Sequence, residues 1–108
     1  MKAFKKFKNY KKVKTNIKGR GRYNLWVADT PRKKSLGLSG INSLPKKHGM
    51  IFVYDDDVQN SFTMKNTFIP LTIIFLDKNF EVLETFNCKP QQKRSIIPSV
   101  KYRYVIEI

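Results

Sequence analysis

Hydrophobic and polar residues alternate along most of this chain, and a period of two is typical of β-strands. Apolar or β-branched residues at positions 13, 15 and 17, for example, alternate with polar residues at 14 and 16. Turn-forming sequences such as Asp77-Lys78-Asn79 separate these stretches. About seven strands are predicted. They cover residues 13–17, 23–28, 49–54, 71–76, 80–86 and 102–108, and residues 61–66 are either the seventh strand or an extended segment. The predicted fold class is all-β, a mainly antiparallel sandwich or barrel.

One short helix is predicted near residues 31–38, after the second strand. Thr30 is suited to cap its first turn, and Pro31 to occupy the first helical position, where a missing N–H costs nothing. Gly37 and Gly40 are expected to end the helix.

The sequence also predicts how the third strand and the last strand end. The acidic run Asp55-Asp56-Asp57 is expected to end the third strand as a solvated turn. The last strand is predicted to place Tyr102, Tyr104, Ile106 and Ile108 on one face. Because the sequence stops at Ile108, this strand is expected to end at an edge that a neighbouring molecule can cover.

The composition indicates one small folded domain rather than a disordered polycation. The 108 residues are 41% hydrophobic and include eight Phe and five Tyr, which is enough for a core. Cys88 is the one cysteine, so an internal disulfide and a multi-thiolate zinc site are excluded. No apolar run approaches the ~20 residues of a membrane-spanning helix. We expect a soluble protein of the cytoplasm, or of a host cytoplasm or virion if it is viral.

The charge is concentrated at the amino terminus. Ten of the 22 basic residues fall within the first 22 positions, where there is no acidic residue, and the net charge is +14. A field of this sign attracts polyanions, of which nucleic acids are the commonest in a cell. The predicted nucleic-acid contacts are Lys2, Lys5, Lys6, Lys8, Lys11, Lys12, Lys18, Arg20, Arg22, Phe4, Phe7 and Tyr10.

Residues 1–12 are interpreted as a basic arm that precedes a single β-rich domain at 13–108. The arm is either a helix whose aromatic stripe lies on a membrane surface or a partner or, as we favour, a tail that orders on contact. The remaining alternative is an aromatic stripe that packs on the domain itself. The aromatic rings of the tail are predicted to stack on exposed bases. Codon usage in an A/T-rich genome would also raise the lysine content, but it would not by itself cluster the charges. A second basic region comprises Lys89, Lys93, Arg94, Lys101 and Arg103.

The middle of the chain carries a family resemblance, from about Val13 to Ile108. The segments that carry it are Val27-Ala28-Asp29-Thr30-Pro31, Gly37-Leu38, Gly49-Met50-Ile51-Phe52-Val53, Ser61-Phe62-Thr63-Met64-Lys65-Asn66-Thr67-Phe68-Ile69-Pro70-Leu71 and Tyr104-Val105-Ile106-Glu107. Together they resemble the bacterial and archaeal family numbered 192 among the domains of unknown function. The resemblance implies a compact β-rich sandwich with a short helix after the second strand, and it implies no agreed activity.

Three positions depart from that family's usual pattern. Members usually have Trp where this chain has Thr63, Asp where it has Thr72, and Arg where it has Ile41. The three family residues are of types that can form a polar pocket with a charge pair. If the family has such a pocket there, this member is expected to have lost it.

Residues suited to catalysis or metal binding are few. His48 and Cys88 are the obvious base and nucleophile of a cysteine-type site, but a loop residue and a packing residue are the preferred interpretations. Adjacent residues 55–57 point in alternate directions on an extended chain, and known calcium loops space their ligands. We predict no catalytic residue, no metal site and no cofactor.

Three functions remain open from the sequence. The preferred one is a non-enzymatic basic β domain that binds an anionic partner, above all nucleic acid through its backbone. The first alternative is a viral or cellular assembly or accessory protein that docks on an acidic protein surface. The second alternative, and the least favoured, is a hydrolase that uses Cys88 or the Asp run.

Overall fold

A mixed six-stranded sheet is the framework of the protein, as seen in a computed structural model that describes residues 6–108. The elements are β1 (Lys12–Ile17), β2 (Gly21–Ala28), α1 (Pro31–Leu36), β3 (His48–Val58), β4 (Leu71–Leu76), β5 (Val82–Cys88) and β6 (Tyr102–Glu107). The predicted all-β class with one short helix after the second strand is confirmed.

The strands lie in the order β1-β2-β3-β6-β4-β5. Every neighbouring pair is antiparallel except β2 and β3, which are parallel. Parallel neighbours need a crossover connection, and the segment that contains α1 supplies it. The predicted mainly antiparallel pairing therefore holds for four of the five strand pairs.

The last strand occupies the interior of the sheet, so the expectation that it ends at an open edge is wrong. Val105 of β6 pairs with Phe52 of β3 on one side and with Phe75 of β4 on the other. Within the described residues, the edges of the sheet are β1 and β5.

Two other predicted elements differ from the structure. Strand β3 continues through Asp55–Asp57 to Val58, because these exposed residues lie where the β3–β6 register shifts and need no apolar partner. The segment 61–66 is not a strand of the sheet, and its pairing is an isolated bridge between Phe62 and Ile96.

Apolar clusters cover both faces of the sheet. The first contains Phe7, Trp26, Phe52, Phe75 and Tyr102 among others. The second contains Ile17, Leu25, Ile51, Ile74 and Ile106 among others. Ile17 of edge strand β1 thus shares a cluster with residues of β4 and β6, so the sheet curls. Within 6–108 no strand pairing joins β1 to β5.

The face predicted for β6 is only partly correct. Tyr102 belongs to the first cluster, whereas Tyr104, Ile106 and Ile108 belong to the second. The register irregularity between β3 and β6 separates Tyr102 from the other three. Both faces of β6 are therefore covered.

Helix α1 is capped as the sequence predicts. The Thr30 hydroxyl accepts a hydrogen bond from the Lys33 backbone N–H at 3.2 Å, and Pro31 is at the start. Gly37 ends the helix with φ of 49°, a left-handed conformation that favours glycine. The turn directs Leu38 into the first cluster.

Candidate functional site

The described part of the amino-terminal segment is packed against the sheet. The Phe7 ring is buried and lies with its centroid 4.7 Å from that of Trp26 and 5.1 Å from that of Tyr10. The Tyr10 N–H donates to the Phe7 carbonyl, and the Lys6 ammonium group donates to the Ser39 carbonyl. The prediction that Phe7 stacks on a base is wrong, because its ring is already part of the core.

A groove beside this segment combines lysines with aromatic rings. It has a volume of about 440 Å³, and we call it the basic groove; its lining residues are Phe7, Lys8, Tyr10, Lys12, Trp26, Pro45 and His48. The Lys12 Nζ lies 5.6 Å from the centroid of the Trp26 ring, and the His48 ring centroid lies 5.4 Å from it. Such a groove suits a ligand that is both anionic and flat.

The hairpin of β1 and β2 extends the same positive surface. Lys12 pairs with Trp26, Lys14 with Asn24, and Asn16 with Arg22. Because alternate residues of a strand share a face, Lys12, Lys14 and Arg22 lie on the face that carries Trp26. We call these three residues, with Lys18 and Arg20 of the connecting turn, the cationic hairpin.

Among the residues that the structure describes, the positive charge of this surface has no carboxylate partner. The ion pairs among residues 6–108 join Lys33 to Asp29 at 3.8 Å and Arg103 to Asp57 at 3.0 Å. Neither involves a basic residue between Lys6 and Arg22, and no acidic residue precedes Asp29 in the sequence. The segment is thus folded onto the domain while its charges remain available to an external anion.

Not every predicted contact can be placed. Lys2, Phe4 and Lys5 lie outside the described residues. Lys8, Lys11 and Lys12 are exposed close to the groove, and Tyr10 is half-buried. Trp26 and His48 were not among the predicted contacts. The period-two pattern places Trp26 on the face opposite to Leu25, and the pairing of β1 with β2 places it beside Lys12.

The candidate cysteine site is not assembled. His48 begins β3 and contacts Trp26, whereas Cys88 is buried at the end of β5 beside Leu71. Burial, and to a lesser extent the nearby Glu107, raise the pKa of the Cys88 thiol, which disfavours the reactive thiolate. Among residues 6–108 no group of three or more His, Cys, Asp or Glu residues is placed to hold a metal ion.

A second cavity, of about 390 Å³, lies between the end of α1, the segment at 60–67 and the sheet. We call it the Glu107 cavity, because the carboxyl group of Glu107 on β6 lines it. Its walls include Phe52 and Tyr54 of β3 and Phe62. Lys34 and Lys65 also line it.

Glu107 was missed by the sequence analysis. Its side chain is only 5% exposed, and burial raises its pKa to about 8. Glu107 forms no ion pair within the described residues. The sequence contains a signal for this position. Glu107 comes two residues after Val105 and therefore shares its face of β6, and Val105 belongs to the first cluster.

The family profile DUF192, described as Uncharacterized ACR, matches residues 13–108. The chain belongs to this family. A search of curated proteins gave no match for this DUF192 domain.

Two solved structures share the fold of this DUF192 domain. One is a proposed transcription regulator from Sinorhizobium meliloti 1021, 24% identical, with a TM-score of 0.82 over 92% of this chain and 81% of that one. The other is a protein of unknown function from Novosphingobium aromaticivorans DSM 12444, 27% identical, with a TM-score of 0.78 over 92% and 72%.

The three positions that depart from the usual DUF192 pattern do not line one cavity. Thr63 lines the Glu107 cavity. Thr72 lies on β4 with its hydroxyl donating to Asn87 at 3.1 Å, and Ile41 is buried in the first cluster. A polar cavity is present in this chain despite those departures, because Glu107 and not these three positions defines it.

No helix in the described part of the chain is long and apolar enough to cross a membrane.

Proposed function

We propose that this DUF192 domain binds nucleic acid through the phosphate backbone, using the basic groove and the cationic hairpin. Two observations support this most strongly. Lys8 and Lys12 line an aromatic groove, and no basic residue between Lys6 and Arg22 has an ion-pair partner among the described residues. A cytoplasmic location is part of the proposal.

The groups of this surface suit phosphate. Lysines act as point charges, and the guanidinium groups of Arg20 and Arg22 can donate two parallel hydrogen bonds to one phosphate. Of the predicted aromatic contacts within residues 6–108, Tyr10 remains partly accessible, so a base can stack on it at the groove. Binding of this kind is directed at the backbone and selects weakly among sequences.

The likeness to a proposed transcription regulator concerns the fold alone at 24% identity. The proposal rests on charge and geometry. Docking on an acidic protein surface was the alternative. One of its supports was a last strand open to pairing with a neighbouring molecule, and β6 is interior.

A salt titration of nucleic-acid binding tests the proposal. The affinity of the protein for a labelled single-stranded oligonucleotide is measured by fluorescence anisotropy over a series of salt concentrations. We compare the wild type with the triple variant Lys12→Gln, Lys14→Gln and Arg22→Gln. For each lost phosphate contact, the slope of log binding constant against log salt concentration should become less steep by about 0.7.

The matched control removes the same charge from the second basic region, with Lys89→Gln, Lys93→Gln and Lys101→Gln. These side chains are also exposed. The proposal requires the control to keep most of the wild-type slope. Equal losses in the two triple variants, or equal affinity of the wild type for heparin, would mean that overall charge and not this surface governs binding. Specific binding to an acidic protein in place of the oligonucleotide would also contradict it.

A further inference from the structure

The carboxyl group of Glu107 forms no ion pair within residues 6–108. Glu107 lines the Glu107 cavity and is only 5% exposed. Burial of a charged carboxylate without a counter-charge is costly. A ligand that brought a cationic donor to the floor of the cavity would remove this cost.

The cavity also has two lysines, which would pair with an anionic group of a ligand. The Lys34 ammonium group lies 4.1 Å from the centroid of the Tyr54 ring, and Lys65 is exposed. Neither lysine forms an ion pair within residues 6–108. The cavity therefore presents one acidic group at its buried end and two basic groups at its lining.

Gly37 keeps the buried end open. A Cβ atom at this position would lie 3.3 Å from Cζ of Phe52 and 3.8 Å from Oε1 of Glu107. A longer side chain would occupy the space in front of the carboxyl group. The left-handed φ of 49° also favours glycine there, so the helix end and the cavity depend on the same residue.

We propose that the Glu107 cavity binds a free amino acid, with its ammonium group at Glu107 and its carboxylate at Lys34 and Lys65. The Phe52, Tyr54 and Phe62 rings supply apolar walls beside the ammonium group, where cation–π attraction adds to the ion pair. The volume of about 390 Å³ is within the range of small-molecule sites, about 300–1,000 Å³.

Ligands with a single charge fit this arrangement less well. A phosphate or simple carboxylate would satisfy the lysines but leave Glu107 without a counter-charge. A simple amine would satisfy Glu107 but add a third positive charge near two lysines. A molecule that carries both charges can pair with Glu107 and with the lysines at the same time.

Binding should be linked to a proton. The pKa of Glu107 is raised to about 8 by burial, so an ammonium ligand displaces a proton at neutral pH. The ionisable groups that face Glu107 are Tyr54, Cys88 and the two lysines. Burial raises the pKa values of Tyr54 and Cys88, so both stay neutral. The apparent affinity should therefore rise with pH below about 8, by up to about tenfold per pH unit.

The test is a titration of the full chain with a panel of L-amino acids, followed by amide chemical shifts and calorimetry in two buffers of different ionisation heat. The panel includes glycine, alanine, valine and phenylalanine. Each is paired with its N-acetyl derivative and its amide, which remove one charge at a time. We expect saturable shifts around residues 34–39, 52–54 and 60–67 for at least one amino acid, with proton release at neutral pH.

The variant Glu107→Gln keeps the shape of the side chain and should weaken that amino acid at least about tenfold, as N-acetylation should. Lys65→Gln should weaken binding of the amino acid, and it should affect the amide derivative least, because that derivative lacks the carboxylate. Lys89→Gln should leave binding unchanged. If Glu107→Gln fails to fold, the derivatives and Lys65→Gln still decide. Absence of saturable shifts for the whole panel, or equal binding of the N-acetyl derivatives, would overturn the proposal. Because nucleic-acid binding uses another surface, the two proposals can fail separately.

Discussion

The ring centroids of Phe7 and Trp26 lie 4.7 Å apart, with the two planes inclined by 38°. Trp26 belongs to β2, so this contact joins the amino-terminal segment to the sheet. Phe7 is only 2% exposed. The lysines that follow it are consequently held at defined positions beside the basic groove, while their charges have no carboxylate partner in the described residues.

The first prediction concerns Phe7, which joins the amino-terminal segment to the sheet. Phe7→Ala should lower the free energy of unfolding by about 3–5 kcal/mol, because it removes a buried ring and leaves a cavity. Chemical denaturation measures the effect. Phe68→Ala is the matched control, since Phe68 is 45% exposed, and it should cost far less. Equal losses for the two variants would show that Phe7 is not packed in solution.

The second prediction concerns the pH dependence that Glu107 imposes. Burial raises its pKa from 4.5 to about 8. Between these two pH values the folded state binds more protons than the unfolded state, so the free energy of unfolding falls as pH rises. The slope from this group is at most about 1.4 kcal/mol per pH unit. The full contribution is present below pH 4.5 and is lost by the time the pH passes about 8.

Glu107→Gln should remove that component, so the variant gains stability relative to the wild type as pH rises from 5 to 8. Urea denaturation at a series of pH values provides the comparison. The exposed Glu81 gives the control, and Glu81→Gln should follow the wild type. Parallel profiles for the wild type and Glu107→Gln would refute the burial of this carboxyl group in the core.

The third prediction compares two glycines. A Cβ atom at Gly49 would lie 2.3 Å from the Glu107 carbonyl oxygen, which belongs to an adjacent central strand and cannot move aside. Gly49→Ala should therefore destabilise the protein by about 3 kcal/mol. Gly19 has open space around it and φ of 79°, so Gly19→Ala should cost about 1 kcal/mol. Thermal unfolding distinguishes the two, and the reverse order would be inconsistent with the β3–β6 pairing.

The fourth prediction concerns Cys88. Burial raises the pKa of this thiol, and its side chain is only 4% exposed. A chromogenic disulfide reagent should therefore react with the native protein at least about tenfold more slowly than with the protein unfolded in urea. Fast reaction of the native protein would restore Cys88 as a candidate nucleophile.

Local features of the fold were predictable because short-range chemistry determines them. Thr30, Pro31 and Gly37 define the helix through capping and backbone conformation, and all three act as expected. The turn at Asp77 likewise depends on its own side chain, whose carboxylate accepts from the backbone N–H groups of Asn79 and Glu81.

The strand order could not be predicted from such signals, because it depends on partners far apart in sequence. Val105 pairs with both Phe52 and Phe75, and nothing in the alternation of β6 identifies two neighbours rather than one. The parallel pairing of β2 and β3 could have been predicted, because a helix is predicted between these two strands and a helix between strands favours a parallel crossover.

The candidate site was predicted in charge but not in shape. The lysine cluster predicted the sign of the partner's charge. The aromatic stripe was interpreted chiefly as a binding feature, but at Phe7 the alternative holds, because that ring packs on the domain. The sequence pattern did not identify Glu107, because the predicted apolar face of β6 is the opposite one, which carries Tyr104 and Ile106. Its role depends on the segments at 37–39 and 60–67, whose approach to the sheet has no signature in the local sequence.

The most direct test of the proposed function is a map of backbone amide shifts during titration with a short single-stranded oligonucleotide at physiological salt. The account predicts that the largest changes fall in residues 8–26 and at His48, and that they diminish as salt is raised. Changes centred on residues 89–103, or an even distribution over all exposed lysines, would contradict it.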